Sequence, residues 1–228
     1  MFLSVGHDEY WSLEMFRNVK AAVDAGTSAA FLSGNSVCFV APLAPSTDGR
    51  PNRVFHRAGR FGGVAEAEGG QMGPFDLDGH PGVPNEAALI GARTPSPFNG
   101  SGDWRIAPGK SGHWLFEGTG IREGDRIPGL VGWEFHGDPA DIPGLEVVAT
   151  ATTINASGKE ATFAATVYPG PQGNWVFNAP TIFWSVGLSQ PPGIVPPHSH
   201  YGRRHGTDER VRRITENFLR KCGASPGK

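Results

Sequence analysis

The densest chemistry in the chain lies at Gly6-His7-Asp8-Glu9-Tyr10-Trp11, where an imidazole, two carboxylates, a phenol and an indole follow one another. Burying so many titratable groups together is costly unless they serve a purpose. A plainer reading stands beside the functional one. Asp8 and Glu9 would suit the positive end of a following helix, and Tyr10 and Trp11 would fill a core. Asn35 sits at a Gly34-Asn35 corner, where asparagine tolerates a left-handed backbone while still presenting its amide. Ser36 and Cys38 follow in Gly34-Asn35-Ser36-Val37-Cys38-Phe39, which lacks the second glycine of a G-x-S-x-G nucleophile elbow. Gly132-Trp133-Glu134-Phe135-His136 places an acid at the end of an apolar strand, between two aromatics. Such a carboxylate needs a cation, a donor cluster or a metal, and a salt bridge to an arginine would satisfy it equally. His198, His200 and His205 gather imidazoles in a proline-rich stretch without the spacing of a zinc site. Arg203, Arg204, Arg210, Arg212 and Arg213 read as a solvated face.

These residues need elements to position them. Phe2 to Val5 reads as a strand stopped by Gly6. Ser12 then caps an amphipathic helix with Phe16, Val19 and Val23 on one stripe, ended by Gly26. Ala29 to Ser33 reads as a buried strand, and strand, helix and strand make a βαβ unit with parallel strands. Ligands of open α/β sheets bind at the carboxyl ends of such strands, where residues 6–11 and 34–39 both lie. The stretch 42–112 is rich in turn residues and reads as a loop-rich insertion, interrupted by strand-like pieces at Arg53 to His56 and Ala87 to Ala92. From Leu130 to Phe135, Glu146 to Ile154, Ala161 to Tyr168 and Trp175 to Asn178, successive strands are expected. The last helix has Thr207 as its expected cap and Val211, Ile214, Phe218 and Cys222 as its apolar stripe. A doubly wound sheet normally carries more before its first functional turn, so the chain reads as the C-terminal part of a longer protein.

Composition removes several function classes. The chain has 228 residues and a net charge of −2, so no global field favours nucleic acid or an anionic membrane. With 33 glycines, 20 prolines and only 18% charged residues, it reads as one folded, loop-rich domain. The sequence shows no run long enough to span a bilayer and no signal peptide, so a genuine start at Met1 implies a cytoplasmic protein. Cys38 and Cys222 sit in dissimilar contexts and form no disulfide framework.

The segments Ser4 to Ser12, Leu32 to Asn35, Glu117 to Gly120, Gly124 to Glu134 and Val176 to Trp184 together resemble the C-terminal domain of the N,N-dimethylformamidase large subunit and its relatives. The resemblance runs from residue 4 to the last helix. It implies a three-layer α/β/α sheet like that of class I glutamine amidotransferases, which is flavodoxin-like. It also implies a mononuclear non-haem iron held by two tyrosines and a glutamate, activating water against an amide carbonyl. By position Tyr10 is one ligand and Glu134 the carboxylate. The second tyrosine would fall where this chain has Cys38-Phe39, so either the site is altered with Cys38 as a ligand, another tyrosine such as Tyr168 or Tyr201 substitutes, or iron is absent. His7, Asp8 or Glu9 would then be the general base or an orienting group, and Asn35 a donor to the developing oxyanion.

The expected activity is hydrolysis of a C–N bond in a small-molecule amide, with an upstream domain or a second copy as the expected protein partner. Two rivals remain at this level. One is a non-catalytic crevice lined by Trp11, Trp104, Trp133 and Trp184 that holds a carbohydrate. The other is a metal-free hydrolase with Cys38 or Ser36 as nucleophile, which needs a histidine within about 3 Å.

Overall fold

The computed structural model describes residues 1–55, 57–63, 83–95, 97–193 and 206–223. The chain opens with β1 (Phe2–Val5), a two-residue β2 (Tyr10–Trp11) and α1 (Leu13–Asp24). Ser12 caps α1, its hydroxyl accepting from the Met15 amide at 3.1 Å. Next come β3 (Ala29–Leu32), β4 (Phe39–Val40), β5 (Leu43–Ala44), β6 (Val54–Phe55) and α2 (Ala87–Ile90). They are followed by β7 (Gly102–Arg105), β8 (Arg126–Val131), β9 (Glu146–Ile154), β10 (Glu160–Pro169) and β11 (Trp175–Asn178). Two helices, α3 (Trp184–Leu188) and α4 (Glu209–Lys221), close the fold.

The main sheet has five strands in the order β1-β3-β11-β10-β9. As the crossover through α1 requires, β1 and β3 run parallel, and β11 joins β3 in the same sense. From β11 outward the pairing turns antiparallel, so the α/β expectation is met by a mixed sheet with few helices. Strand β3 is buried at every position, with Ala30 and Leu32 facing one core and Ala29 and Phe31 the other. The first core contains Val211, Ile214 and Phe218 of α4; the second contains Phe16 and Val23 of α1 with Leu89 and Ile90 of α2.

Three local expectations change. Where a strand is expected over Ala87 to Ala92, Ala87–Ile90 form the helix α2, because the Asn85 side chain accepts from the Ala87 amide and Gly91 ends the turn at φ +90°. A short apolar run carries no period long enough to separate the two. Strand β8 ends at Val131, not Phe135. Trp133 takes φ +64°, which carries Glu134 off the strand line. Asp208, not Thr207, caps α4 by accepting from the Arg210 amide at 2.9 Å. Within 42–112, β7 pairs antiparallel with β8, and Ser101 and Ile106 beside it bridge to β9. His56, residues 64–82 and the stretch 194–205, with His198, His200, Tyr201, Arg203, Arg204 and His205, lie outside the described residues.

Candidate functional site

The turns after β1 and β3 are stitched together. Val37 donates its amide to the Asp8 carbonyl at 3.2 Å, Phe39 to that of Glu9 at 3.0 Å, and β2 and β4 pair in parallel with Tyr10 opposite Phe39. The loop after β3 is strained: Asn35 and Val37 take φ +53° and +56°, a region that costs a β-branched residue about 1–3 kcal/mol. Gly34 passes so close to Glu134 that a Cβ there would lie 2.1 Å from the Glu134 carbonyl oxygen. Only glycine permits that approach, and it brings Asn35 and Glu134 side by side.

At this junction His7, Glu9 and Glu134 meet, their ligand atoms all within 4.8 Å of one another. His7 Nε2 lies 2.6 Å from Glu134 Oε2 and 3.8 Å from Glu9 Oε2. The Asn35 side-chain amide donates to Glu9 Oε1 at 3.0 Å and lies 3.3 Å from Glu134 Oε2, while its own oxygen accepts from the Thr94 hydroxyl at 2.9 Å. That last bond fixes which way the buried amide points. Hydrogen bonding to Glu134 holds the His7 pKa above its ordinary value, against the opposing effect of burial. Burial, then the charge of Glu134, raises the Glu9 carboxyl. Burial, then the charge of the neighbouring Glu9, raises the Tyr10 phenol.

Asp8 turns the other way. Its Oδ2 accepts from the Ser4 hydroxyl, and its buried Oδ1 has no hydrogen-bond partner. Behind the loop, His136 is fully buried; its Nε2 accepts from the Ser36 amide at 2.9 Å and its Nδ1 faces Asn178 Oδ1 at 2.9 Å. Burial depresses its pKa, and the neutral ring braces the loop.

The structure therefore brings His7, Glu9, Asn35 and Glu134 together, with Tyr10 next to Glu9 in the chain and its ring on Phe39. Cys38 is not in that group: burial pushes its thiol up to about 12. Phe39 stacks on Tyr10 at 5.6 Å between centroids, without a ligand atom, so the expected second tyrosine has no counterpart there. Tyr168 donates its hydroxyl to the Leu89 carbonyl at 2.6 Å and is likewise committed. Ser36 Oγ has no hydrogen-bond partner, histidine included. Trp11, Trp104 and Trp184 are buried in the two cores and only Trp133 of that group is exposed, so they do not line a crevice.

Sequence reasoning missed Thr94 and the His136–Asn178 pair. For the latter a signal existed, since both end or follow apolar strands where polar side chains need partners. Thr94 carries none, lying in a turn-rich stretch that says nothing about where it docks.

No helix among the described residues is long and apolar enough to cross a membrane. No curated protein matches the chain. A family model does, and on residues 1–201, which include every side chain of the site, the chain belongs to the N,N-dimethylformamidase beta subunit-like, C-terminal family.

Proposed function

We propose that the chain is an amide hydrolase in which His7, Glu9 and Glu134 hold a metal cation and act on the C–N bond of a small-molecule amide. The convergence of one imidazole and two carboxylates within 4.8 Å carries this reading. An N,O,O donor set fits a first-row cation, iron among them, whereas the two-tyrosine set fails at Phe39. Bound there, the cation supplies Lewis acidity toward a carbonyl and lowers the pKa of water.

The chain's own groups do the rest. Asn35 holds the two carboxylates in convergence, its amide being already bonded to them and to Thr94. Hydrolysis adds water to the carbonyl carbon and breaks the C–N bond, and the departing nitrogen takes a proton, leaving a carboxylic acid and an amine. The added water supplies that proton, so the step balances without a further donor.

Parallel β1, β3 and β11 with both faces covered support a variant of the three-layer amidotransferase-like arrangement. The family is named for a C-terminal region, which supports reading the chain as the C-terminal part of a longer subunit.

The test is metal analysis of chelator-free protein together with amine release from simple amides. About one metal per chain and measurable amine are expected, both reduced more than about tenfold in Glu134→Gln. Metal-free protein that releases no amine even after metal addition overturns the reading.

A further inference from the structure

Beside the site, the outer face of the β5–β6 hairpin is apolar and open. Leu43 pairs with Phe55 across the antiparallel hairpin, which puts both side chains on one face. The Phe55 ring lies 6.1 Å from that of Tyr10, and Tyr10 directly follows the site residue Glu9. Tyr10, Leu43 and Phe55 are 42%, 50% and 60% exposed, so this strip adds little to either core. It is firmly founded nonetheless. Tyr10 stacks on buried Phe39, and the Arg57 guanidinium sits 3.5 Å from the centre of that ring.

Contiguous apolar surface of this kind, running straight into a cluster of polar and charged groups, is the pattern of a ligand site rather than of a solvated loop. We infer that the substrate's apolar substituent lies on the ledge Tyr10–Phe55–Leu43, so the amide taken by this site carries an aromatic group rather than only methyls. Aromatic faces at Tyr10 and Phe55 favour a flat ring in offset or edge-on contact. The reactive amide is then beside Glu9, because the ledge begins at the next residue, Tyr10, whose strand is seamed to Phe39 with the Phe39 amide on the Glu9 carbonyl at 3.0 Å. The inference rests on the hydrolase reading for its choice of an amide.

The experiment compares N-methylformamide with N-benzylformamide on the metal-loaded chain, measuring dissociation constants by calorimetry and amine release in parallel. The benzyl compound is expected to bind about tenfold or more tightly. Phe55→Ala and Leu43→Ala are each expected to remove about threefold or more of that preference at an unchanged melting temperature, since both side chains are exposed. Equal affinities, or a preference that survives both substitutions, overturn the ledge. Equal kcat/KM for the two amides overturns it too while leaving the hydrolase in place. A benzyl preference without amine release from either compound supports the ledge and overturns the hydrolase. A dimer that Phe55→Ala dissociates gives the strip to a second copy and overturns the ledge.

Discussion

Thr94 hydrogen-bonds to none of His7, Glu9 and Glu134, its backbone amide donating instead to Glu86 Oε1 at 3.4 Å, yet its hydroxyl bonded to Asn35 Oδ1 at 2.9 Å decides how that amide faces Glu9 and Glu134. Thr94→Val keeps the shape and removes the donor, leaving a buried acceptor unpaired at a cost of about 1–3 kcal/mol. The freed amide can also turn its oxygen toward two carboxylates. The expected outcome is a lower melting temperature and a cation affinity reduced about tenfold or more by titration calorimetry, with Thr94→Ser restoring both. A purely structural threonine would lower stability without moving the affinity. At this scale the sequence exposed His7, Glu9, Asn35 and Glu134, because polar groups at strand ends are conspicuous by type. It misplaced Cys38, whose suitability as a ligand depended on burial, and it passed over Thr94, whose partner lies far away in sequence.

Among the elements, the short 3₁₀ turn Trp114–Phe116 shows how a titrating cap ties stability to pH. The His113 Nδ1 accepts from the Leu115 amide at 3.2 Å, a bond that a protonated ring cannot make. Burial and the nearby Lys110 and Lys221 lower the His113 pKa below its ordinary 6.5, opposed by Glu146 at 3.6 Å. Below about pH 6.5 the unfolded chain therefore binds more protons at this position than the folded one. The contribution of the neutral cap is complete above that value and is lost as pH falls through the lower, folded pKa. Each unit of depression corresponds to about 1.4 kcal/mol. Melting temperatures at pH 7.5 and 5.5 should fall less in His113→Asn, which keeps a capping acceptor that does not titrate. The elements themselves were legible where period and caps agreed, as in α1, β9, β10 and α4. They were not legible at α2, where four apolar residues carry no usable period, nor at β8, where Trp133 breaks the line.

For the molecule as a whole, the two faces of β3 bind the site to both cores. Phe218 of α4 is almost fully buried and lies 5.5 Å, centroid to centroid, from Phe177 of β11, the strand that also carries Asn178 behind His136. Phe218→Ala should cost about 3–5 kcal/mol in denaturant unfolding, the loss expected for a large aromatic in a packed core. The sequence alone determined the α/β class, the βαβ opening, the family and most of the polar residues at the site. Those depend on local periodicity, on capping and on residue type, all of which operate over a few neighbouring positions. Only the tertiary structure decided that His7 and Glu9 meet Glu134, that Asp8 and Cys38 turn away, and that Thr94 orients Asn35. Those choices follow from the parallel seam of β2 and β4 and from the close passage of Gly34 by Glu134. Contacts across a hundred residues are set by packing the whole chain at once, and no local pattern encodes them.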